Sequence, residues 1–393
     1  MRKILLTIIV VFYTAFVLSP VVIPYGDQHF SYLSLSFLKG RLDLNEYPFI
    51  WNDVAVYNGN KYLPLGPFPA VLITPLVFIW RVFGGVFLHR YIQWIFVLGV
   101  FLLLYKISRH LKYSVRDSFF WAFAFNLGSV FVFTSINGWS WHFAHAITVL
   151  LIFCSIYEFL TRKRYFLIGI LYAMILATRA TAVIGIVYYL LEVIFSKETV
   201  KKKTKNFTGL FAPILVVGVL LMLYNFFRFG NIFEQGYRYQ QIYSGLGKAR
   251  DLGLFNFVHV PGNLYYLFLA SPTQVFMDGL SKTLKFPFIT YDVWGLGIFY
   301  TSPYLLTLFT YKFRERSSRL LLFTTLLVLA PIIMYYGIGI NQFGYRYALD
   351  FMPYVFFILM KDYKRRILSF VFRAVVVFSV LFNFYLLFSK IFI

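Results

Sequence analysis

Charged residues are scarce in this sequence. Only 13% of its 393 residues are Asp, Glu, Lys or Arg, whereas 60% are hydrophobic. Many apolar runs reach the roughly 17–25 residues that a helix needs to cross a bilayer. The runs are continuous rather than alternating, which favours helices over a membrane barrel. The composition therefore excludes a soluble globular protein and predicts an all-α polytopic membrane protein.

Several familiar chemical signatures are also missing. The one cysteine, Cys154, lies inside an apolar run, so no disulfide can form within the chain. The sequence contains no Gly-rich phosphate loop, Cys/His metal cluster, HExxH motif or Gly-x-Ser-x-Gly motif. It also has no Asp-x-Asp pair of the kind that holds a metal-bound sugar nucleotide. No cofactor or divalent metal is indicated, and a donor without a nucleotide fits better.

Basic residues outnumber acidic ones by 37 to 15, giving a net charge of +22. They cluster in short loops between apolar runs, the positive-inside pattern, so topology explains the charge without a nucleic-acid partner. This places the N-terminus in the cytoplasm and the C-terminus outside the plasma (inner) membrane. The clusters are Lys106–Arg116, Arg162–Arg164, Lys197–Lys205, Lys312–Arg319 and Lys361–Arg366.

We predict a single transmembrane domain, residues 1–393, with about 11 spans. Residues 24–90 and 228–293 form two long exoplasmic loops carrying interfacial helices. The first span lacks a small-x-small cleavage site and is interpreted as a signal anchor. The spans are 4–23, 91–105, 118–136, 143–160, 165–178, 180–195, 208–227, 294–311, 319–338, 347–360 and 367–388.

The apolar stretch at 68–80, FPAVLITPLVFIW, is left out of this count. It is short and is interrupted by Pro69 and Pro75. If it crossed the bilayer, every later basic loop would face outward. We therefore predict a re-entrant or interfacial helix at the outer surface.

The first long loop holds the leading catalytic candidate, Asp27. Apolar residues after it recur at helical spacing, which predicts an amphipathic helix on the membrane surface. Asp27 then either caps this helix or acts as a general base at the membrane surface. Asp53 is the second choice. It precedes VAVYNGNKYLPL, whose Asn-Gly pair predicts a small hairpin presenting Asp53 and Lys61 as site residues or as solvated loop groups.

Two arginines are candidates for binding a lipid phosphate. Arg179 lies in a tight turn between apolar runs, where it either snorkels or holds a phosphate through paired hydrogen bonds. Arg346 begins the tenth span beside Tyr345. It either pairs with Asp350 four residues on or contacts a phosphate or sugar, as ionisable groups at membrane depth often do.

Further polar and aromatic residues fit either sugar contacts or packing. The segment NGWSWHFAH is predicted to place His142 and His145 at the outer face. Hydrogen bonds to sugar or phosphate are favoured over a metal site, and packing is favoured over both. In the second long loop, aromatic residues alternate with polar ones, which suits sugar stacking or an interfacial belt. The candidate residues in this loop are Arg228, Glu234, Tyr237, Arg238 and Tyr239.

This layout resembles the GT-C superfamily of membrane glycosyltransferases, such as protein O-mannosyltransferases and aminoarabinose transferases. The resembling motifs are short: GDQHF after the first span, LPLGPFPAVLITPLVFIW, ATRATA, YNFFRFGNIFEQGY and FGYRYALDFMP. The layout is similar over nearly the whole chain. Several relatives carry an acidic pair after the first span, whereas here Gln28 and His29 follow Asp27. Relatives that bind a metal use a glutamate near the proline-rich element, whereas YLPLGP has no acid.

The resemblance implies transfer of a sugar from a polyprenyl-phosphate donor to a protein, lipid or glycan acceptor at the outer face, with inversion. Asp27 would be the base. Donor phosphate contacts would come from Arg179, Arg346, Lys61 and Arg228, and sugar or acceptor contacts from His29, His142, Tyr345, Tyr237 and Arg238. The alternatives are a lipid-linked sugar flippase or transporter and a polysaccharide polymerase or ligase. Both long loops on one face, with ionisable groups at span ends, favour the enzyme.

Overall fold

The computed structural model describes residues 2–22, 26–280 and 282–393. These residues form two compact units. Unit 1 comprises residues 1–100 and 134–250, and unit 2 comprises residues 101–133 and 251–393. The end of the predicted first span, residue 23, and the following Pro-Tyr pair lie outside the described residues.

The described residues are largely helical, with two short hairpins. The helices are α1 (Arg2–Val22), α2 (His29–Phe37), α3 (Phe68–Val82), α4 (Gln93–His110), α5 (Val115–Asn126), α6 (Phe131–Ile136), α7 (Ser140–Thr161), α8 (Tyr165–Leu176), α9 (Val187–Ile194), α10 (Val200–Phe229), α11 (Ser244–Asp251), α12 (Val260–Leu264), α13 (Ile298–Thr301), α14 (Arg316–Met334), α15 (Met352–Asp362) and α16 (Phe370–Ser389). The strands are β1 (Ala55–Tyr57), β2 (Asn60–Tyr62), β3 (Thr273–Phe276) and β4 (Leu284–Thr290).

In the part of the chain that the structure describes, five helices are long and apolar enough to cross a membrane. They are His89–His110, Ser140–Thr161, Val200–Phe229, Arg316–Met334 and Phe370–Ser389. Each coincides with one of the predicted spans, which supports an α-helical membrane protein. Shorter apolar helices, Tyr165–Leu176 and Ala182–Ile194, coincide with two more. The full set of 11 spans and their orientation stay predictions.

Three of the predicted spans are interrupted. Residues 118–136 divide between α5 and α6, residues 294–311 contain α13 and the 3-10 helix Pro303–Thr310, and residues 347–360 contain the 3-10 helix Arg346–Asp350 and α15. Pro303 and Pro353 lie in the first turns of the elements they begin, as expected of a residue without an amide hydrogen. An apolar run therefore indicates where a helix can lie, but it does not show whether that helix is continuous.

The first long loop is a packed layer in unit 1. Its two helices, α2 and α3, lie against each other. They bury an apolar cluster that includes Phe30, Leu33, Ile73, Val77 and Phe143, the last from α7. The sequence correctly predicted a helix after Asp27 and another over 68–80. The membrane depth of the second helix stays a prediction.

The predicted hairpin is present as β1 and β2, with Tyr57 opposite Asn60. Asn58 and Gly59 have φ angles of 48° and 78°. Two consecutive positive φ values define the tight turn that an Asn-Gly pair favours. The strand end is fixed by Arg228, whose Nη1 donates to the Leu63 carbonyl at 2.7 Å.

In unit 2, a buried ion pair joins α5 to α16. Asp117, 1% exposed, accepts from Arg373 Nη2 at 2.7 Å and Nε at 3.1 Å. The gap between α5 and α6 is also tied to α16, because Asn383 donates to the Leu127 carbonyl at 3.1 Å. A backbone carbonyl released by a break in an apolar helix needs such a partner.

We predict that Asp117→Asn lowers the free energy of unfolding by about 3 kcal/mol, because it leaves a largely buried guanidinium without its counter-ion. The measurement is unfolding by SDS in mixed micelles. Lys285→Gln is the matched control, since Lys285 pairs at 3.7 Å with Asp278, which is 99% exposed. Equal stability of the two variants would contradict the role of the buried pair.

The loop after α2 carries a charge cluster whose contribution depends on pH. Burial alone would raise the pKa of Asp43, but hydrogen bonds from Arg41 and the Asn45 amide, with the charge of Arg41, lower it. A hydrogen bond from Lys39 lowers the pKa of Glu46. Because both folded pKa values are depressed, the stabilisation is present above the unfolded pKa and is lost as pH falls through the folded one.

Arg41→Gln should therefore lower the thermal unfolding midpoint at pH 6. The difference from wild type should begin to shrink as pH falls to about 4, near the unfolded pKa of the carboxylates, and should disappear only once pH has fallen through their lower folded pKa values. Midpoints measured from pH 3 to 7 in detergent test this. A difference that stays constant across the range would show that Arg41 acts through packing instead.

Candidate functional site

Asp27 is solvent-exposed and stands between α1 and α2. It does not cap the helix that follows, because the N-cap position of α2 is Gln28, which forms no side-chain cap hydrogen bond. Instead, Oδ2 of Asp27 accepts from Asn52 Nδ2 at 3.3 Å. The helix-cap alternative is therefore not what the geometry shows. The carboxylate is contacted by a residue 25 positions later.

The backbone of Asp27 is held by the start of α7. Its carbonyl accepts from the Ser140 amide at 3.2 Å and from Ser140 Oγ at 2.8 Å. The neighbouring Gln28 donates through Nε2 to the Gly138 carbonyl at 2.7 Å and accepts the Arg90 amide at 3.2 Å. These contacts bring together residues more than 100 positions apart and fix the position from which the carboxylate projects.

His29 completes a ring of contacts beneath Asp27. It is fully buried, and both its amide and its Nδ1 lie 3.0 Å from Ser140 Oγ. Its Nε2 lies 2.9 Å from the Asn52 carbonyl. A carbonyl only accepts, so Nε2 carries the hydrogen in this contact. The ring runs from Asp27 through Ser140, His29 and Asn52 back to the Asp27 carboxylate. His29 thus positions Asn52 rather than facing solvent.

Gly26 allows this arrangement because nothing larger fits. Its φ is +92°, a conformation that favours glycine. A Cβ built on Gly26 would lie 1.2 Å from Cδ1 of Trp139. The indole of Trp139 packs edge-on against Trp141, with ring centroids 4.7 Å apart. The Trp139 side chain therefore occupies the space that any other residue at position 26 would need.

The hairpin candidates Asp53 and Lys61 make structural contacts. Asp53 has a φ of 56° and accepts from Gln240 Nε2 at 3.0 Å, linking the first long loop to the second. Lys61 Nζ donates to the carbonyls of Pro48 and Ile50, each at 3.3 Å. The ammonium group therefore stabilises the segment that leads into Asn52.

Arg228 is 5% exposed and is committed to the protein on several sides. Besides the Leu63 carbonyl, its Nη2 donates to Asn225 Oδ1 at 2.8 Å. Its guanidinium lies 3.9 Å from the ring centroid of Tyr224. These contacts stabilise a buried cation and hold the hairpin to the end of α10.

Arg179 is half-buried in the turn after α8, in the same unit as Asp27. This turn receives the proline-rich element, since the Phe68 amide donates to the Ala177 carbonyl at 3.0 Å. A Cβ on Gly66 would lie 2.3 Å from that carbonyl oxygen. The structure thus brings ATRATA against LPLGPFP, two segments that the resemblance singled out separately.

The remaining candidates of unit 1 differ in exposure. Tyr237 is half-buried and Arg238 exposed, both in the 3-10 helix Tyr237–Tyr239. His142 and His145 lie within α7 and are 1% and 0% exposed, which agrees with the packing favoured from the sequence. His142 Nδ1 is 3.1 Å from Thr134 Oγ1. Because α7 begins at Ser140, both histidines fall in its packed first turns.

Tyr345 and Arg346 belong to unit 2. The Tyr345 hydroxyl is buried and donates to Asn263 Oδ1 at 2.7 Å. Arg346 is 9% exposed and its Nη1 donates to the Ile340 carbonyl at 2.8 Å. Its guanidinium lies 5.1 Å from the ring centroid of Tyr347. Both side chains are therefore built into the fold of their unit.

Asn52 and Ser140 were not identified from the sequence. Asn52 lies next to the candidate Asp53, but asparagine in a polar loop gives no distinctive signal. Ser140 is 113 positions from Asp27, and no local pattern connects them. Within the residues that the structure describes, no group of three or more His, Cys, Asp or Glu side chains comes together as metal ligands would.

Comparison with known proteins gives little. No protein-family model matches the sequence, and no curated protein matches it. Among solved structures, the chain is similar to the apo crystal structure of the oligosaccharyltransferase of Archaeoglobus fulgidus, with 15% sequence identity and a TM-score of 0.46. The similarity covers 98% of this chain and 55% of that protein, so the chain spans about half its length. Similarity at this level does not show a common fold.

We predict that Gly26→Ala destabilises unit 1 more than Gly40→Ala does. Both glycines have positive φ, +92° and +70°, but a Cβ on Gly40 would meet nothing within 4 Å. Gly40→Ala should therefore lower stability by about 1 kcal/mol from backbone conformation alone, whereas Gly26→Ala must also displace Trp139. SDS unfolding and near-UV circular dichroism measure the two effects. Identical losses, with an unchanged tryptophan signal, would contradict the packing of Trp139 on Gly26.

Proposed function

We propose that this protein is an integral membrane glycosyltransferase. It moves a sugar from a polyprenyl-phosphate donor to an acceptor at the outer membrane face. The observation that carries the proposal is the carboxylate of Asp27, exposed after an apolar helix, steadied by Asn52 and fixed through its backbone by Ser140. The resemblance of the surrounding motifs to GT-C enzymes supports the same assignment.

Asp27 acts in this proposal as the general base. Asn52 engages Oδ2, so Oδ1 is the oxygen that accepts the acceptor proton. The acceptor oxygen attacks the anomeric carbon as its O–H bond breaks, and the bond from that carbon to the phosphate oxygen breaks in the same step. The electron pair leaves with polyprenyl phosphate. A single displacement of this kind inverts the anomeric configuration, and base catalysis contributes about 10²–10⁴-fold to the rate.

The leaving phosphate needs positive charge to stabilise it. Arg179 keeps this role in the proposal, and Arg346, a residue of unit 2, stays a prediction from the sequence. Arg179 supports it by lying in the turn that receives the proline-rich element, in the same unit as the base. Lys61 and Arg228 donate to backbone carbonyls, which favours a supporting role for both.

The sugar and acceptor contacts divide by exposure. Tyr237 and Arg238 reach the surface and stay candidates for direct contact. His29 and His142 are buried and bonded within unit 1, and Tyr345 is buried in unit 2. We infer that these three position other residues. The donor lipid would lie along the apolar helices, whose outer faces carry large exposed side chains.

The test compares variants in proteoliposomes with a panel of radiolabelled polyprenyl-phosphate sugars. Asp27→Asn should lower transfer or hydrolysis by about 10²–10⁴-fold without loss of folding, because the amide cannot take the acceptor proton. Asp43→Asn is the matched control, a carboxylate of the same loop that pairs with Arg41, and should keep its activity.

Other outcomes redirect the proposal. Activity retained in Asp27→Asn but lost in Asp53→Asn would move the base to Asp53. Transport of intact donor across the bilayer by wild type, with no bond cleavage for any sugar, would contradict the enzyme and favour the flippase alternative.

A further inference from the structure

The segment Pro48–Asn52 is held from one side through its backbone. Lys61 Nζ donates to the carbonyls of Pro48 and Ile50, and His29 Nε2 to that of Asn52. These are alternate residues, so the contacts hold every second position. Ile50 follows the same alternation and is 5% exposed. The polar contacts and the buried side chain therefore fix the orientation of the residues between them.

The residues between are two large aromatics that face outward. Phe49 is 61% exposed and Trp51 is 68% exposed. Phe49 is supported edge-on by Tyr32, with ring centroids 5.1 Å apart, and Tyr32 lies 4.9 Å from Tyr47. Trp51 directly precedes Asn52, whose side chain contacts the Asp27 carboxylate. An exposed indole thus stands one residue from the group that orients the proposed base. We call Phe49 and Trp51 the aromatic platform.

The surroundings of the aromatic platform are aqueous in character. The same loop carries the exposed ion pair of Arg41 with Glu46, 2.9 Å apart, and the exposed Asn45. Asp27 itself is exposed. Charges of this density are not stable in hydrocarbon. Two exposed aromatic rings beside charged groups are therefore better explained by a ligand with both apolar and polar faces than by lipid chains.

We propose that Trp51, two residues after the exposed Phe49, stacks on a sugar ring next to Asp27. This inference rests on the proposed function and names the part of the site that recognises the sugar. A pyranose presents C–H groups on one face and hydroxyls at its edge. The flat indole binds the C–H face at little conformational cost. Asn52 and Asp27 lie beside it and can form hydrogen bonds with the hydroxyls. The ring is either that of the donor or that of a glycan acceptor.

The first arm measures kinetics with Trp51→Ala, Trp51→Phe and Phe257→Ala. Phe257 is a 76% exposed aromatic of unit 2 and serves as the control. Trp51→Ala should raise KM about three- to tenfold with kcat nearly unchanged, as expected for a lost aromatic contact. Trp51→Phe should keep most of the affinity. A higher KM for the donor would show that Trp51 stacks on the donor sugar, and a higher KM for the acceptor would show that it stacks on an acceptor glycan. Unchanged KM for both, with transfer intact, would overturn the platform and leave the proposed function standing.

The second arm needs no turnover. Saturation-transfer NMR on the Asp27→Asn protein measures binding of methyl glucoside, mannoside and galactoside, with and without Trp51→Ala. Binding that is lost with Trp51→Ala supports the platform even if no transfer is found, so the two proposals fail separately. Brominated lipids test the contrary possibility, that Trp51 lies among lipid chains. If they quench wild-type fluorescence and the quenching is lost in Trp51→Phe, the indole lies among lipid chains and the proposal is wrong.

Discussion

The structure around the candidate site depends on the contact between Ser140 and Asp27. The amide and hydroxyl of Ser140 both reach the Asp27 carbonyl, at 3.2 and 2.8 Å. Residues 26–28 come directly before α2 and include a glycine at φ +92°, so they have little intrinsic order. Bonding to the start of a long, packed helix gives them a fixed position. That one attachment then determines the positions of His29, Asn52 and the segment before Asn52, each of which is linked to it by its own hydrogen bond.

Two cations that contact the first loop illustrate how polar side chains order the backbone around a site. Lys61 and Arg228 were expected to contact the donor phosphate. In the structure, both donate to carbonyls of the same loop, and Arg228 also lies over the Tyr224 ring. A buried guanidinium needs several such contacts to offset its lost hydration. The loop is therefore ordered by the polar groups that a sequence reading would first assign to substrate.

Local patterns in the sequence were informative wherever one short segment determines the structure. The Asn58–Gly59 turn, α2 and α3 were predicted because two-residue turns and helical periodicity are local properties. Contacts between distant segments were not predicted, because no local pattern links residues such as Ser140 and Asp27, which lie 113 positions apart. The packing expected of His142 agrees with its burial near the start of α7. Helix breaks at 127–130 and near Pro303 were missed because apolar composition does not record continuity.

The central claim is that Asp27 serves as base in a single displacement at the anomeric carbon. Real-time NMR of the sugar first released from a polyprenyl-phosphate donor of known configuration tests it most directly, because water replaces the unknown acceptor. The account predicts that the anomer seen before mutarotation is inverted relative to the donor. Release of the anomer with retained configuration would require a covalent glycosyl intermediate and a second displacement, and would contradict the account.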